Sequence, residues 1–219
     1  DQSTKIHQTI IVRPKLSKDI KVQIHQALGL DYLELGNTVR AEDEFKKMLE
    51  IDAKNKWSLG MLKNIATDNK SWNDALEYEK KLIKYYPEIK KRDESKLNYF
   101  VAMDYKDKKN EKNYLYYLNK SIQGDHIHSE SFLELSSHHI DNTDLAMEYL
   151  IQFSKANPSG SVTAFKKIEH ILFDEKRFDD VESLYRKILN QDFNSYAFNR
   201  LIDIYLEKNE KDEASDLIE

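Results

Sequence analysis

The feature that most constrains this chain is that it repeats itself. Leu28-Gly29, Tyr32, Gly36, Ala41 and Phe45 set small residues between large apolar ones. Counting from Ala41, matching anchors return at Ala75, Tyr114, Ala146, Val181 and Ala214, at steps of 34, 39, 32, 35 and 33 residues. A period of this length marks stacked helix–turn–helix units, none of which can bury its apolar face without a neighbour. The one long step has a visible source in the charged stretch Glu88–Ser95, which lengthens either a connecting loop or the first turn of the next helix. Pro14, Pro87 and Pro158 each fall just past the second helix of a unit, where a missing N–H and a fixed φ stop the helix at no cost.

Composition agrees with helices and removes several classes of function. The 219 residues hold only 5 Gly and 3 Pro, with 33% charged and 40% hydrophobic residues, too few turn formers for an all-β chain. A net charge of −5 without a long basic run gives no electrostatic footprint for nucleic acid. Zero cysteines exclude thiol nucleophiles, disulfides and Cys-based metal centres, but say nothing about compartment. Apolar runs are as short as Thr9-Ile10-Ile11-Val12, so no segment is expected to insert into a bilayer.

The spacing resembles the tetratricopeptide repeat, L-G-x2-Y followed by A-x3-F, with His25 where that consensus has Trp. The expected fold is therefore all-α, a right-handed superhelical solenoid. Residues 1–12 read as the second helix of a truncated repeat, and the following repeats cover approximately 22–55, 56–89, 95–126, 127–160, 162–194 and an incomplete 195–219. The chain thus reads as one array cut at both ends. Close helix crossings demand small side chains, which Gly29, Ala41, Ala75, Ala146 and Ala214 supply. Tyr114 and Val181 do not, so those two helix pairs are expected to open or shift. Tyr114 should gather with Tyr105, Tyr116 and Tyr117 in an aromatic cluster, more plausibly core packing than a ligand box.

Three candidate sites follow. His126, His128, His138 and His139, with Asp125, could hold zinc, but their spacing is poor for ligands on one helix face. Asp179-Asp180 and Asp203 with Glu207 could act as paired carboxylates, yet each lies beside basic residues and reads as a solvated helix face. No nucleotide-binding loop is present, and neither enzyme chemistry nor a cofactor is expected. What remains is the concave face lined by successive first helices. By register its side chains are Gln26, Leu30, Trp57, Asn64, Tyr99, Met103, Ser131, Leu135, His138, Lys166, His170, Asn199 and Asp203. A protein partner is the expected occupant, with Trp57 and Tyr99 as aromatic anchors; a second copy of the chain is a further candidate.

The opening third is more particular. Lys5-Ile6-His7-Gln8, Arg13-Pro14, Ala27-Leu28-Gly29-Leu30-Asp31-Tyr32, Arg40-Ala41-Glu42 and Phe45, continued by Trp72, Ala75 and Pro87, resemble the repeat region of the lipopolysaccharide assembly protein B (YciM) family. That resemblance implies a bacterial, cytoplasmic repeat domain tethered to the inner membrane by an N-terminal helix absent from this chain, together with a C-terminal metal module also absent here. It implies an adaptor that brings the lipid A pathway deacetylase to a membrane AAA+ protease. The alternatives are a general tetratricopeptide interaction module and a metal-dependent protein using the histidines.

Overall fold

In the computed structural model, residues 2–89, 93–124, 126–190 and 193–218 are described. They contain thirteen α-helices, one short 3-10 turn at Pro158–Gly160 and no strand. The chain divides into two compact units, Asp1–His128 and Ser129–Glu219.

The first unit holds α1 (Gln2–Ile11), α2 (Lys18–Glu34), α3 (Thr38–Ile51), α4 (Lys56–Asp68), α5 (Trp72–Tyr85), α6 (Glu94–Asp107) and α7 (Glu111–Ser121). Within a repeat α2 pairs with α3, α4 with α5 and α6 with α7, and between repeats α3 rests on α4 and α5 on α6. Against α2, α1 takes the same kind of place that α3 takes against α4, as a second helix should. Ser17 accepts the Ile20 N–H at 3.3 Å and starts α2 at Lys18, ahead of the expected residue 22. The extra residues of the long step include 90–92, outside the described residues, and α6 opens at Glu94.

The small-residue rule is literal at Gly29. A Cβ there would lie 2.0 Å from Cε1 of the fully buried Phe45 ring. Ala41, Phe45, Met48 and Leu28 fill the core around this crossing, with Trp57 and Tyr78 packed against its edge. One register step later the same pair of positions is Lys63 and Glu79, joined at 3.1 Å with Glu79 almost fully buried. Lys63 also reaches Asp93 at 2.8 Å, and Glu79 accepts the Asp93 N–H at 2.8 Å. A glycine–aromatic contact has been replaced by an ion pair that ties α4 to the start of α6.

The expectation of an opened pair at Tyr114 is corrected. α6 and α7 share the most extensive contact between helices of this unit, and Tyr114 is buried within the unit. The reason lies opposite: Ala102, in the position of Gly29, is fully buried, so the small side chain has moved to the first helix. Tyr105 stacks on Tyr117 with ring centroids 5.5 Å apart, and Tyr116 meets Tyr117 edge-on at 5.0 Å. Tyr114 carries the Lys106 ammonium over its ring.

The second unit holds α8 (Glu130–His138), α9 (Thr143–Ala156), α10 (Ser161–Asp174), α11 (Phe178–Leu189), α12 (Ser195–Glu207) and α13 (Lys211–Asp216). Ala146, Val181 and Ala214 are all buried at their crossings. Among the described residues α10 and α11 meet over a smaller contact than α8 and α9 do, in the direction expected where Val181 replaces a small residue. Here the glycine position is Glu169, buried, accepting from the Tyr185 hydroxyl at 2.9 Å and from Arg200 Nε at 2.7 Å. Burial, then the nearby Glu169 charge, pushes the Tyr185 phenol well above its ordinary range.

The turn inside most repeats has one form. Gly36, Lys70, Lys109, Lys176 and Asn209 take φ of 70°, 56°, 56°, 60° and 63°. The next residue's N–H closes back on the helix at 2.8–2.9 Å, from Asn37 to Tyr32, Ser71 to Ala66, Asn110 to Tyr105, Arg177 to Leu172 and Glu210 to Tyr205. This is a Schellman ending. Asn37 and Asn110 then cap the following helix, accepting from Arg40 and Asn113 N–H groups at 3.2 Å each.

Candidate functional site

In each unit the first helices of successive repeats are bridged on one side by polar side chains, α4 to the N-cap of α6 through Lys63 and Asp93, and α10 to α12 through Glu169 and Arg200. The candidate surface is the solvent-reaching stripe beside these bridges. In the first unit Leu30 is 41% exposed and Asn64 is exposed, while Gln26, Met103, Tyr99 and Trp57 are half-buried. In the second, Lys166, His170, Asn199 and Asp203 are exposed and His138 is half-buried.

Two assignments are corrected by burial. Ser131 and Leu135 are both 0% exposed, because α8 buries Ser131, Phe132, Leu135 and Ser136 at the positions 34 residues on from Leu97, Asn98, Val101 and Ala102 of α6, and they present nothing to a partner. Trp57 is an edge residue of the first core: its ring meets Phe45 edge-on at 5.2 Å. That contact makes it a structural residue with one exposed rim. Tyr99 lies tilted on His128 at 4.4 Å and edge-on to Phe100 at 5.6 Å, and Phe100 stacks on Trp72 at 4.3 Å. This aromatic row leaves the Tyr99 ring partly covered.

The chemistry-bearing candidates are engaged elsewhere. His139 stacks on Tyr149 at 5.8 Å and meets His138 edge-on at 4.9 Å. Among the described residues no three His, Cys, Asp or Glu side chains gather in a group that could hold a metal ion; Asp125 lies outside them. Asp180 pairs with Arg177 at 2.6 Å, Asp179 with Lys208 at 3.7 Å, and Glu207 with Arg200 at 3.5 Å. These three carboxylates are solvated and each faces a cation, and Asp203 is exposed on α12. No helix among the described residues is long and apolar enough to cross a membrane.

What the sequence reading missed is a cleft between α8, α9 and α10 in the second unit. Its volume is about 510 Å³, with Leu150 and Ile171 as floor, Ile140 as one wall, and Lys166, Lys167 and Ser137 at the rim. Lys166 and His170 had been placed on this face by register, but an apolar floor arises only from how three helices meet. A second hollow of about 540 Å³ lies between α9 and α11 and is lined by charges of both signs, including Asp144, Glu148, Lys155 and Arg177.

No protein-family profile matches the chain, and no curated protein does. Solved structures do. The chain is similar to a TPR-repeat protein from Bacteroides fragilis NCTC 9343, at 15% identity and a TM-score of 0.51 over 90% of this chain and 95% of that one. It also aligns with MamA protein (17% identity, TM-score 0.47, 87% and 94% covered). A further match is YrrB, described as a TPR protein with an unusual peptide-binding site (14% identity, TM-score 0.42, 83% and 84% covered). With its paired helices and its period, the chain has the fold of a tetratricopeptide-repeat protein.

Proposed function

We propose that the chain is a non-catalytic scaffold that holds a protein partner on the face of its first helices. The observation that carries this is the exposed stripe itself: within single units, Leu30 and Asn64 on one side of the division and Lys166, His170, Asn199 and Asp203 on the other reach solvent from helices whose opposite faces are fully spent on packing. Helical repeats offer such an extended face as their usual means of binding. The peptide-binding site named for YrrB belongs to that protein and lends the reading an analogy of fold.

In its particular form, the scaffold is an adaptor at the cytoplasmic side of a bacterial inner membrane, presenting the lipid A pathway deacetylase to a membrane AAA+ protease. Support for that form is the resemblance of residues 5–45 and of Trp72, Ala75 and Pro87. The experiment is affinity capture from native membrane and cytosol, with Leu30→Asp and Lys166→Glu variants as controls. Capture of the protease or the deacetylase, lost in a variant, supports the adaptor. Capture of other proteins, lost in the same variants, refutes the adaptor and keeps the scaffold. Capture indifferent to both variants refutes the first-helix face.

A further inference from the structure

The second unit is strongly acidic: residues 129–219 hold 19 Asp and Glu against 10 Lys and Arg. In such a unit a cation finds a carboxylate easily, and several have done so. Arg177 contacts Asp144, Glu175 and Asp180, Arg186 contacts Glu182, Arg200 contacts Glu169 and Glu207, and Lys208 contacts Glu182 and Asp179. Six lysines of the unit stand outside this pattern, and Lys166 and Lys167 are the two of them at the rim of the apolar cleft. Both are exposed on α10; among the described residues Lys167 has no polar contact, and Lys166 overlies the Tyr196 ring at 5.9 Å. Both stand at the rim of the apolar cleft over Leu150 and Ile171. His170, on the same rim, is already held by Asp174 at 2.9 Å.

The cleft has the chemistry of an unfilled half-site. Ile140 is 49% exposed at its wall, an apolar surface whose cover would be favourable by the usual hydrophobic argument. A volume of about 510 Å³ accepts one or two large apolar side chains. A ligand with apolar groups and cations would meet two lysines without relief, and a purely acidic one would leave the floor wet. We propose that this cleft binds an acidic peptide segment, seating an apolar side chain over Leu150 and Ile171 and pairing its carboxylates with Lys166 and Lys167. The inference rests on the reading of the first-helix face as the binding surface and names the class of segment that face selects. The unit's excess of carboxylates repels an acidic segment from most of its surface, while Lys166 and Lys167 set two adjacent cations beside an apolar floor.

The test is selection of random peptides on the full chain, followed by fluorescence anisotropy with the selected peptide. Acidic residues flanking an apolar one should be enriched. Lys166→Glu/Lys167→Glu should weaken binding about tenfold or more, since it replaces attraction by like-charge repulsion. Ile140→Ser should weaken it separately, and raising salt from about 50 mM to about 500 mM should weaken it in the parent. Circular dichroism melts serve as the folding control, the two lysines being exposed. Neutral or basic winners, or acidic winners insensitive to all these variants, overturn the cleft assignment. If such winners are instead lost on Leu30→Asp, the scaffold reading survives alone. An empty selection sinks both.

Discussion

Three lysines occupy backbone that glycine occupies in the first repeat. Lys70, Lys109 and Lys176 have φ of 56°, 56° and 60°, beside Gly36 at 70°, and all three are exposed, their side chains without an ion pair or hydrogen bond among the described residues. The left-handed region costs an L-residue roughly 1–2 kcal/mol, because Cβ crowds the following carbonyl. Glycine escapes that cost but loses about 0.5–1 kcal/mol more backbone freedom on folding. The difference favours glycine by about 0.5–1 kcal/mol per site. The three turns belong to separate repeats, so the gains should add, giving about 1.5–3 kcal/mol for Lys70→Gly/Lys109→Gly/Lys176→Gly. For a chain of this length each kcal/mol moves the midpoint by roughly 2–4 °C, so thermal melting followed by circular dichroism should rise by about 3–12 °C. Lys80→Gly, in the middle of α5 and equally exposed, must go the other way by about 1 kcal/mol. Asn209→Gly should gain only a few tenths, since Asn visits the left-handed region readily. A triple variant that melts no higher than the parent would refute the argument that these turns are strained.

Other perturbations probe the crossings. Gly29→Ala places a methyl into the Phe45 ring and should cost about 1–3 kcal/mol by overpacking, read by urea unfolding and relieved in part by Phe45→Leu. Burial pushes the Glu44 carboxyl up, but hydrogen bonds from His25 and Lys47, each at 2.6 Å, pull it further down, to a net value below the ordinary one. A lowered folded-state value stabilises above the unfolded value and is lost as pH falls through it. Acid unfolding of Glu44→Gln should therefore be less steep than that of the parent below about pH 4.5, with parallel curves counting against the network. Lys63→Ala leaves the buried Glu79 carboxylate with only the Asp93 N–H and should cost about 3 kcal/mol or more. Lys63→Gly/Glu79→Phe, which rebuilds the contact of Gly29 and Phe45, should recover most of that loss in a double-mutant cycle; additive losses would show that the two positions do not share one crossing.

The paired helices were legible because their causes are local and repeat. Ala41, Ala75, Ala146 and Ala214 announce close crossings, and prolines mark where second helices stop. Tyr114 misled for a definable reason. The rule asks for one small residue per crossing and is indifferent to which helix carries it, and Ala102 supplies it from the other side. The turn lysines were illegible for the opposite reason, since nothing in a lysine advertises positive φ; aligning Lys70, Lys109 and Lys176 under Gly36 is the signal that could have found them.

The site was harder to read because exposure is a difference between neighbours. Register put Leu135 and Lys166 on the same class of helix face, yet Leu135 is fully buried and Lys166 open to water. Leu135 stands 34 residues after the fully buried Val101 of α6 and takes its place in the core, while α10 carries Lys166 and Lys167 clear of the packing. The shortness of α8 also leaves Ile140 past the helix end, half exposed over Leu150 and Ile171. The register of α8 therefore removes Ser131 and Leu135 from the binding face, and its end at His138 sets Ile140 on the wall of the cleft. Specificity in such an array arises where a repeat departs from its neighbours, and the departure here is the one bordered by two unpaired lysines.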